Sequence, residues 1–162
     1  MTDPKTDYAL LTAQAKALCE DEADALANLA NLSALLYNTL PKVNWAGFYL
    51  MRNGELVLGP FQGQSACVRI PVGSGVCGTA VAEQRVQRVS DVHEFPGHIA
   101  CDAASESEIV FPLRREGQVV GVLDIDSPIK DRFNADDEQG LGGIVRLIEK
   151  VLNHDAQSLG LT

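Results

Sequence analysis

Hydrophobic residues in this chain change their spacing twice, and that order restricts the fold more than any single residue does. Tyr8, Leu11, Ala15 and Leu18 recur at helical spacing, and Leu29, Leu32, Leu36 and Leu40 repeat it before Pro41 stops the run. After Pro41 the texture is that of strands. Trp45 to Leu50 and Leu56 to Leu58 flank an Asn53-Gly54 turn and read as a hairpin, and a third strand is expected around Val68 to Ile70. Val76 to Glu83 is a short helix by composition, Arg85 to Val89 alternates like a strand, and Asp91 to Ser105 reads as an irregular loop. The clearest hairpin joins Ile109 to Leu113 with Val119 to Ile125 across Glu116-Gly117. A last helix opens at Asn134 and carries Leu141, Ile144, Val145, Ile148 and Leu152 on one stripe. With no regular alternation of strand and helix, the chain is expected to be of the α/β (α+β) class. It should form an antiparallel sheet of about six strands flanked by N- and C-terminal helices.

The 162 residues, 46% of them apolar, suffice for one core and are too few for two ordinary domains, so residues 1–162 read as a single domain. The opening Met-Thr-Asp-Pro-Lys-Thr-Asp lacks the basic-then-apolar order of a signal peptide, and no apolar run approaches the ~20 residues of a membrane span. A soluble, cytoplasmic protein is expected. Thirteen Lys and Arg against 22 Asp and Glu give a formal charge of −9, which repels phosphate backbones and anionic lipid. Nucleic acid and membrane are therefore not expected partners.

Cys67, Cys77 and Cys101 lie in or beside segments rich in Gly, Pro and His, and their separations do not match the paired spacings that hold structural zinc. Thiols so placed point to redox chemistry. Cys19, beside the apolar stripe of the first helix, is read as structural. On a strand Trp45, Gly47 and Tyr49 share one face, where glycine would leave a gap between two aromatic plates able to take a methylated or cationic group. The alternative is an ordinary core Trp and Tyr with their polar atoms satisfied. By the same parity Asp124 and Asp126 project from the face of Val120 and Val122. They either bind an ammonium or a metal or share a proton, or else simply end a strand in solvent. Glu108 begins the partner strand. A two-residue turn at Glu116-Gly117 pairs positions summing to 233 and sets Ile109, not Glu108, against Asp124, so convergence of the three acids requires a bulge or a shifted register. Gly73-Ser74-Gly75 lacks the ending of a nucleotide loop and is read as a turn; His93 and His98 near Cys101 fit no zinc pattern and are read as solvated.

Together, Trp45-Ala46-Gly47-Phe48-Tyr49, the three thiols, Glu108 and Asp124-Ile125-Asp126 resemble the free methionine-(R)-sulfoxide reductases, which are stand-alone GAF domains. The likeness runs from about Tyr8 to Leu152 and includes Pro71 to Gly78 and Gly121 to Ser127. It implies a cytoplasmic homodimer that reduces the R epimer of free methionine sulfoxide with thioredoxin and needs no metal or organic cofactor. By the same resemblance Cys101 is the attacking thiol, Cys67 the resolving thiol and Cys77 a second exchange partner. Trp45, Tyr49, Glu108, Asp124 and Asp126 match the family's substrate pocket. The alternatives are a non-catalytic GAF sensor of a small ligand, against which stands the lack of any output domain in the sequence, and a general protein-thiol oxidoreductase, against which stands the lack of a two-residue Cys spacing.

Overall fold

Each long helix begins where a side chain can cap it. Asp7 accepts from Leu10 N to start α1 (Tyr8–Cys19), and Asp24 accepts from Ala27 N to start α2 (Ala25–Thr39). Asn134 and Asp137 exchange side-chain and backbone bonds in a capping box that opens α4 (Ala135–His154). The computed structural model describes residues 5–98, 101 and 103–161. The first four residues, positions 99, 100 and 102 of the irregular loop, and residue 162 lie outside them.

Six strands form one antiparallel sheet: β1 (Trp45–Arg52), β2 (Glu55–Gly63), β3 (Arg69–Pro71), β4 (Gln87–Val89), β5 (Ser107–Arg115) and β6 (Gln118–Ser127). Their spatial order is β3-β2-β1-β6-β5-β4, so the first and last strands meet in the middle. The short helix α3 (Gly75–Glu83) bridges β3 to β4. The expected class and strand number are therefore found. Both hairpin turns carry two residues with positive φ, Asn53-Gly54 and Glu116-Gly117, as tight turns between twisted strands require.

The two sheet faces have different tasks. Ala46, Phe48, Leu50, Ile109, Leu123 and Ile125 turn toward α1, α2 and α4 and form the larger core with the leucines of α2 and the stripe of α4. Trp45, Tyr49, Val110 and Val122 turn the other way, toward α3. Strand parity thus sends alternate residues of β1 and β6 to support and to site. Leu18 departs from the expected stripe: it is exposed, and only Leu11 and Ala15 of α1 are fully buried. Among the described residues no helix is long and apolar enough to cross a membrane.

Two irregularities in the ladder matter. Along β5 and β6, Arg114 pairs Val119 but Leu113 pairs Gly121, which leaves Val120 as an extra residue in β6. Beyond the bulge the register becomes Glu108 to Asp126 and Ile109 to Ile125, the shift that brings Glu108 to the two aspartates. The second bulge lies in β2 near Gly59-Pro60, opposite Phe48. Proline is tolerated there because β3 pairs only with residues 55–57 of β2. Gly121 is pinned at the first bulge, for a Cβ there would stand 2.5 Å from the Tyr49 carbonyl oxygen.

Gly121→Ala should therefore destabilise the fold by about 1–3 kcal/mol in urea unfolding. Gly142→Ala, on α4 with open space around it, should stabilise it by up to about 1 kcal/mol through helix propensity. Equal effects of the two substitutions would contradict this packing.

Candidate active site

Side chains of β1, β5, β6 and α3 enclose one small cavity of about 40 Å³, room for about three waters. From β1 come Trp45 and Tyr49, each 2% exposed. The Trp45 indole donates to the Gln64 carbonyl at 3.1 Å, and the Tyr49 hydroxyl donates to the Cys67 carbonyl at 2.9 Å. Their rings stack at 5.9 Å. The two aromatics are thus core residues with satisfied polar atoms and also lining of the cavity.

The gap expected at Gly47 is not open. A Cβ at Gly47 would collide with Phe61 on β2, whose ring stacks on Trp45 at 5.2 Å with planes 14° apart. Glycine here admits a third aromatic plate. Phe61 was hidden in the sequence because Pro60 interrupts the alternation of β2.

Glu108, Asp124 and Asp126 all line the cavity, and all three are less than a tenth exposed. The Asp124 side chain is hydrogen-bonded to both Glu108 and Cys77. Burial pushes the Glu108 carboxyl well above its ordinary value of 4.5, and the charges of Asp124 and Asp126 push it further. A carboxylic acid that keeps its proton far above the usual range is the consequence.

The thiols divide. Cys67 follows the end of β2 and Cys101 sits in the loop after His98; the two form a disulfide with Cα atoms 5.3 Å apart. Cys101 lines the cavity, as does His98. Cys77, on α3, is a free, buried thiol whose Sγ lies 4.0 Å from Glu108 Oε2. Burial, then the charges of Asp124, Glu108 and Asp126, raise its pKa well above 9.0 and keep it protonated. Cys19 is free, half-buried against the larger core and remote from this group, in line with a structural thiol. His93 pairs with Glu106 at 3.2 Å and meets His98 edge to face at 6.3 Å. Ser105 was not singled out in the sequence. It is buried, lines the cavity and accepts from Asn44 Nδ2 at 3.3 Å.

The arrangement suits a small cationic guest bearing a polarisable group. Negative carboxylates attract an ammonium, aromatic faces take a methyl or sulfur, a protonated acid stands ready to donate, and a sulfur capable of redox exchange closes the rim.

A GAF domain family model matches residues 27–153. The free methionine-R-sulfoxide reductase of Escherichia coli is 62% identical over 145 residues, covering 90% of this chain and 88% of that protein. Protein YtsP of Bacillus subtilis is 60% identical, covering 93% of each. The structure of fRMsr of Staphylococcus aureus in complex with substrate superposes with a TM-score of 0.88 at 56% identity, covering 94% of this chain and 99% of the other. Matched over most of its length at such identity, the chain belongs to the GAF-domain family and, within it, to the free methionine-R-sulfoxide reductases.

Proposed function

We propose that the protein reduces free L-methionine (R)-sulfoxide to methionine, acting as a single GAF domain over residues 1–162. The observation that carries this reading is the Cys67–Cys101 disulfide at the rim of a cavity shared by three buried carboxylates and Trp45. The Cys101 thiolate attacks the sulfoxide sulfur while a carboxylic acid of the cluster protonates the oxygen. Glu108 is the acid assigned here, because burial and its two neighbours keep it protonated. The oxygen passes to Cys101 as a sulfenic acid and methionine leaves. The Cys67 thiol then condenses with the sulfenic acid, releasing water and forming the disulfide, which a thioredoxin dithiol reopens by exchange.

Cys77 has a different standing from Cys67. A buried thiol held neutral by surrounding acids is a poor nucleophile, so its exchange with Cys101 is the slower of the two routes. Trp45 and Tyr49 enclose the S-methyl group, and the carboxylates of Asp124 and Asp126 pair with the substrate ammonium. In a peptide that amino group is an uncharged amide, and leaving the buried acids without a cation is costly. The same ammonium offsets the negative field that would otherwise disfavour a thiolate at Cys101. A cytoplasmic homodimer is the working form, with thioredoxin as reductant.

A thioredoxin-coupled assay on separated epimers should show consumption of the R form alone, and Cys101→Ser should lower turnover by about three orders of magnitude or more. Consumption of neither epimer, or unchanged turnover in Cys101→Ser, would refute the reading. Tight ligand binding without turnover would support a sensor instead.

Glu108 also ties activity to stability. Its folded pKa is raised, so below the ordinary value of 4.5 both states are protonated and it costs nothing. As pH climbs, the unfolded chain releases a proton that the folded chain retains, and stability falls toward the folded pKa. Glu108→Gln should therefore raise Tm relative to the parent increasingly as the pH rises above the ordinary carboxyl range, while lowering turnover by about 10²–10⁴-fold. A Tm difference that is flat with pH would show that Glu108 is ionised like a surface acid.

A further inference from the structure

The two sulfurs of the disulfide have different surroundings. Both residues are half-buried, but Cys101 lines the cavity and Cys67 does not. Cys67 lies between the exposed residues 62–65, where β2 ends, and the exposed Val68 and Arg69, where β3 begins. The Tyr49 hydroxyl donates to the Cys67 carbonyl at 2.9 Å, and the Leu58 N–H donates to the Val68 carbonyl at 2.9 Å. The backbone that carries this sulfur is thereby fixed.

The surface beside Cys67 is unlike the rest of an acidic chain. Val68 and Val72, which flank β3, are 60% and 42% exposed, although most large apolar side chains of the protein are buried. β3 is an edge strand, bonded to β2 alone. From Leu56 to Ala82 the one charged residue is Arg69, and Glu55 pairs with it at 2.7 Å. On a chain of formal charge −9, a neutral stretch with two uncovered valines beside a reducible bond has the composition of an interface centre, apolar and poor in charge.

We propose that Val68, Val72 and the outer edge of β3 form the docking surface for thioredoxin, whose thiolate attacks the Cys67 sulfur and not that of Cys101. The occupant follows from the disulfide itself. Whatever reduces the bond must bring a dithiol into contact with one of its sulfurs, and no folded protein enters a cavity of about 40 Å³ to reach the Cys101 side. The carboxylates within that cavity would also repel an incoming thiolate. On the Cys67 side the approach is open, and the Arg69–Glu55 pair adds no net charge to oppose it.

The exchange balances. The partner's thiolate bonds to Cys67 Sγ, the Cys67–Cys101 bond breaks, and its electron pair leaves on Cys101, which takes a proton. The partner's second thiolate then attacks its own sulfur in the mixed disulfide, and Cys67 leaves and takes the second proton. The partner departs as a disulfide, having given two electrons and the two protons of its thiols. Cys101 is thus released directly into the cavity where the next substrate binds. The choice of thioredoxin rests on the reductase reading, but reduction of the disulfide can be measured with no substrate present.

The test compares reduction of the oxidised protein by thioredoxin and by dithiothreitol, in the parent and in the double variant Val68→Ser/Val72→Ser, which removes apolar surface without adding charge. The variant should react at least about fivefold more slowly with thioredoxin and within about twofold of the parent with dithiothreitol. A thioredoxin keeping only its attacking cysteine should be trapped on Cys67, identified by peptide mass after an acid quench, with Cys101 free to alkylate. Equal thioredoxin rates would overturn the surface. So would an equal fall with both reductants, which marks a damaged site, or loss of self-association in the variant, which gives the patch to a second copy of the chain. A mixed disulfide on Cys101 would overturn the direction of attack. Failure of the parent to consume the R epimer with dithiothreitol would count against the reductase reading and leave the surface to be decided by these rates.

Discussion

Three carboxylates held out of water against one another govern this molecule. Placing Glu108, Asp124 and Asp126 together beneath Trp45 and Tyr49 makes full ionisation expensive, because each charge is poorly hydrated and repels the others. The cluster has two ways to lower that cost: keep a proton or bind an ammonium. In the proposed reaction the first supplies an acid for a departing sulfoxide oxygen, and the second selects a free amino acid over a peptide. In that proposal catalysis and specificity follow from the same electrostatic strain.

The rest of the fold serves to hold that cluster. The larger core, built from α1, α2 and α4 against one sheet face, touches none of the chemistry but fixes β1, β5 and β6. The extra residue Val120 then sets the register that brings Glu108 beside Asp126, and Gly121 lets β1 approach closely at that point. On the other face, Phe61 fills the space above Gly47 and stacks on Trp45, while the Tyr49 hydroxyl anchors the Cys67 carbonyl beside the disulfide. A side chain is thus aimed at the site by parity, and the parity is fixed by burial on the opposite face.

Much of this is legible in the amino-acid sequence. The leucines of α2, the stripe of α4 and its Asn134 cap, and the two Gly-bearing turns each follow from local rules, and the division of β1 into site and support residues follows from strand parity. The meeting of the three acids did not follow. Whether β6 carries an extra residue depends on how both faces of the sheet pack, and the Glu116-Gly117 turn alone indicates the other register. Gly47 meets a related limit: the sequence shows that a side chain is missing but not that Phe61, beyond Pro60, fills the space. Leu18 shows the limit of periodicity, since the narrow contact of α1 with the core stops short of it. The pairing of Cys67 with Cys101 was implied by family resemblance, because thiols 34 residues apart carry no local signal of their partner.

The most direct test of the electrostatic account is a carbon-13 titration of the glutamate side-chain carboxyls, with Glu108 assigned by its absence in Glu108→Gln. The account predicts that the Glu108 resonance stays protonated well past the range in which surface glutamates ionise, and that it moves back toward that range in Asp124→Asn, where a neighbouring charge is removed. A Glu108 carboxyl that titrates with the surface acids and ignores Asp124→Asn would show that the three groups do not share a buried site.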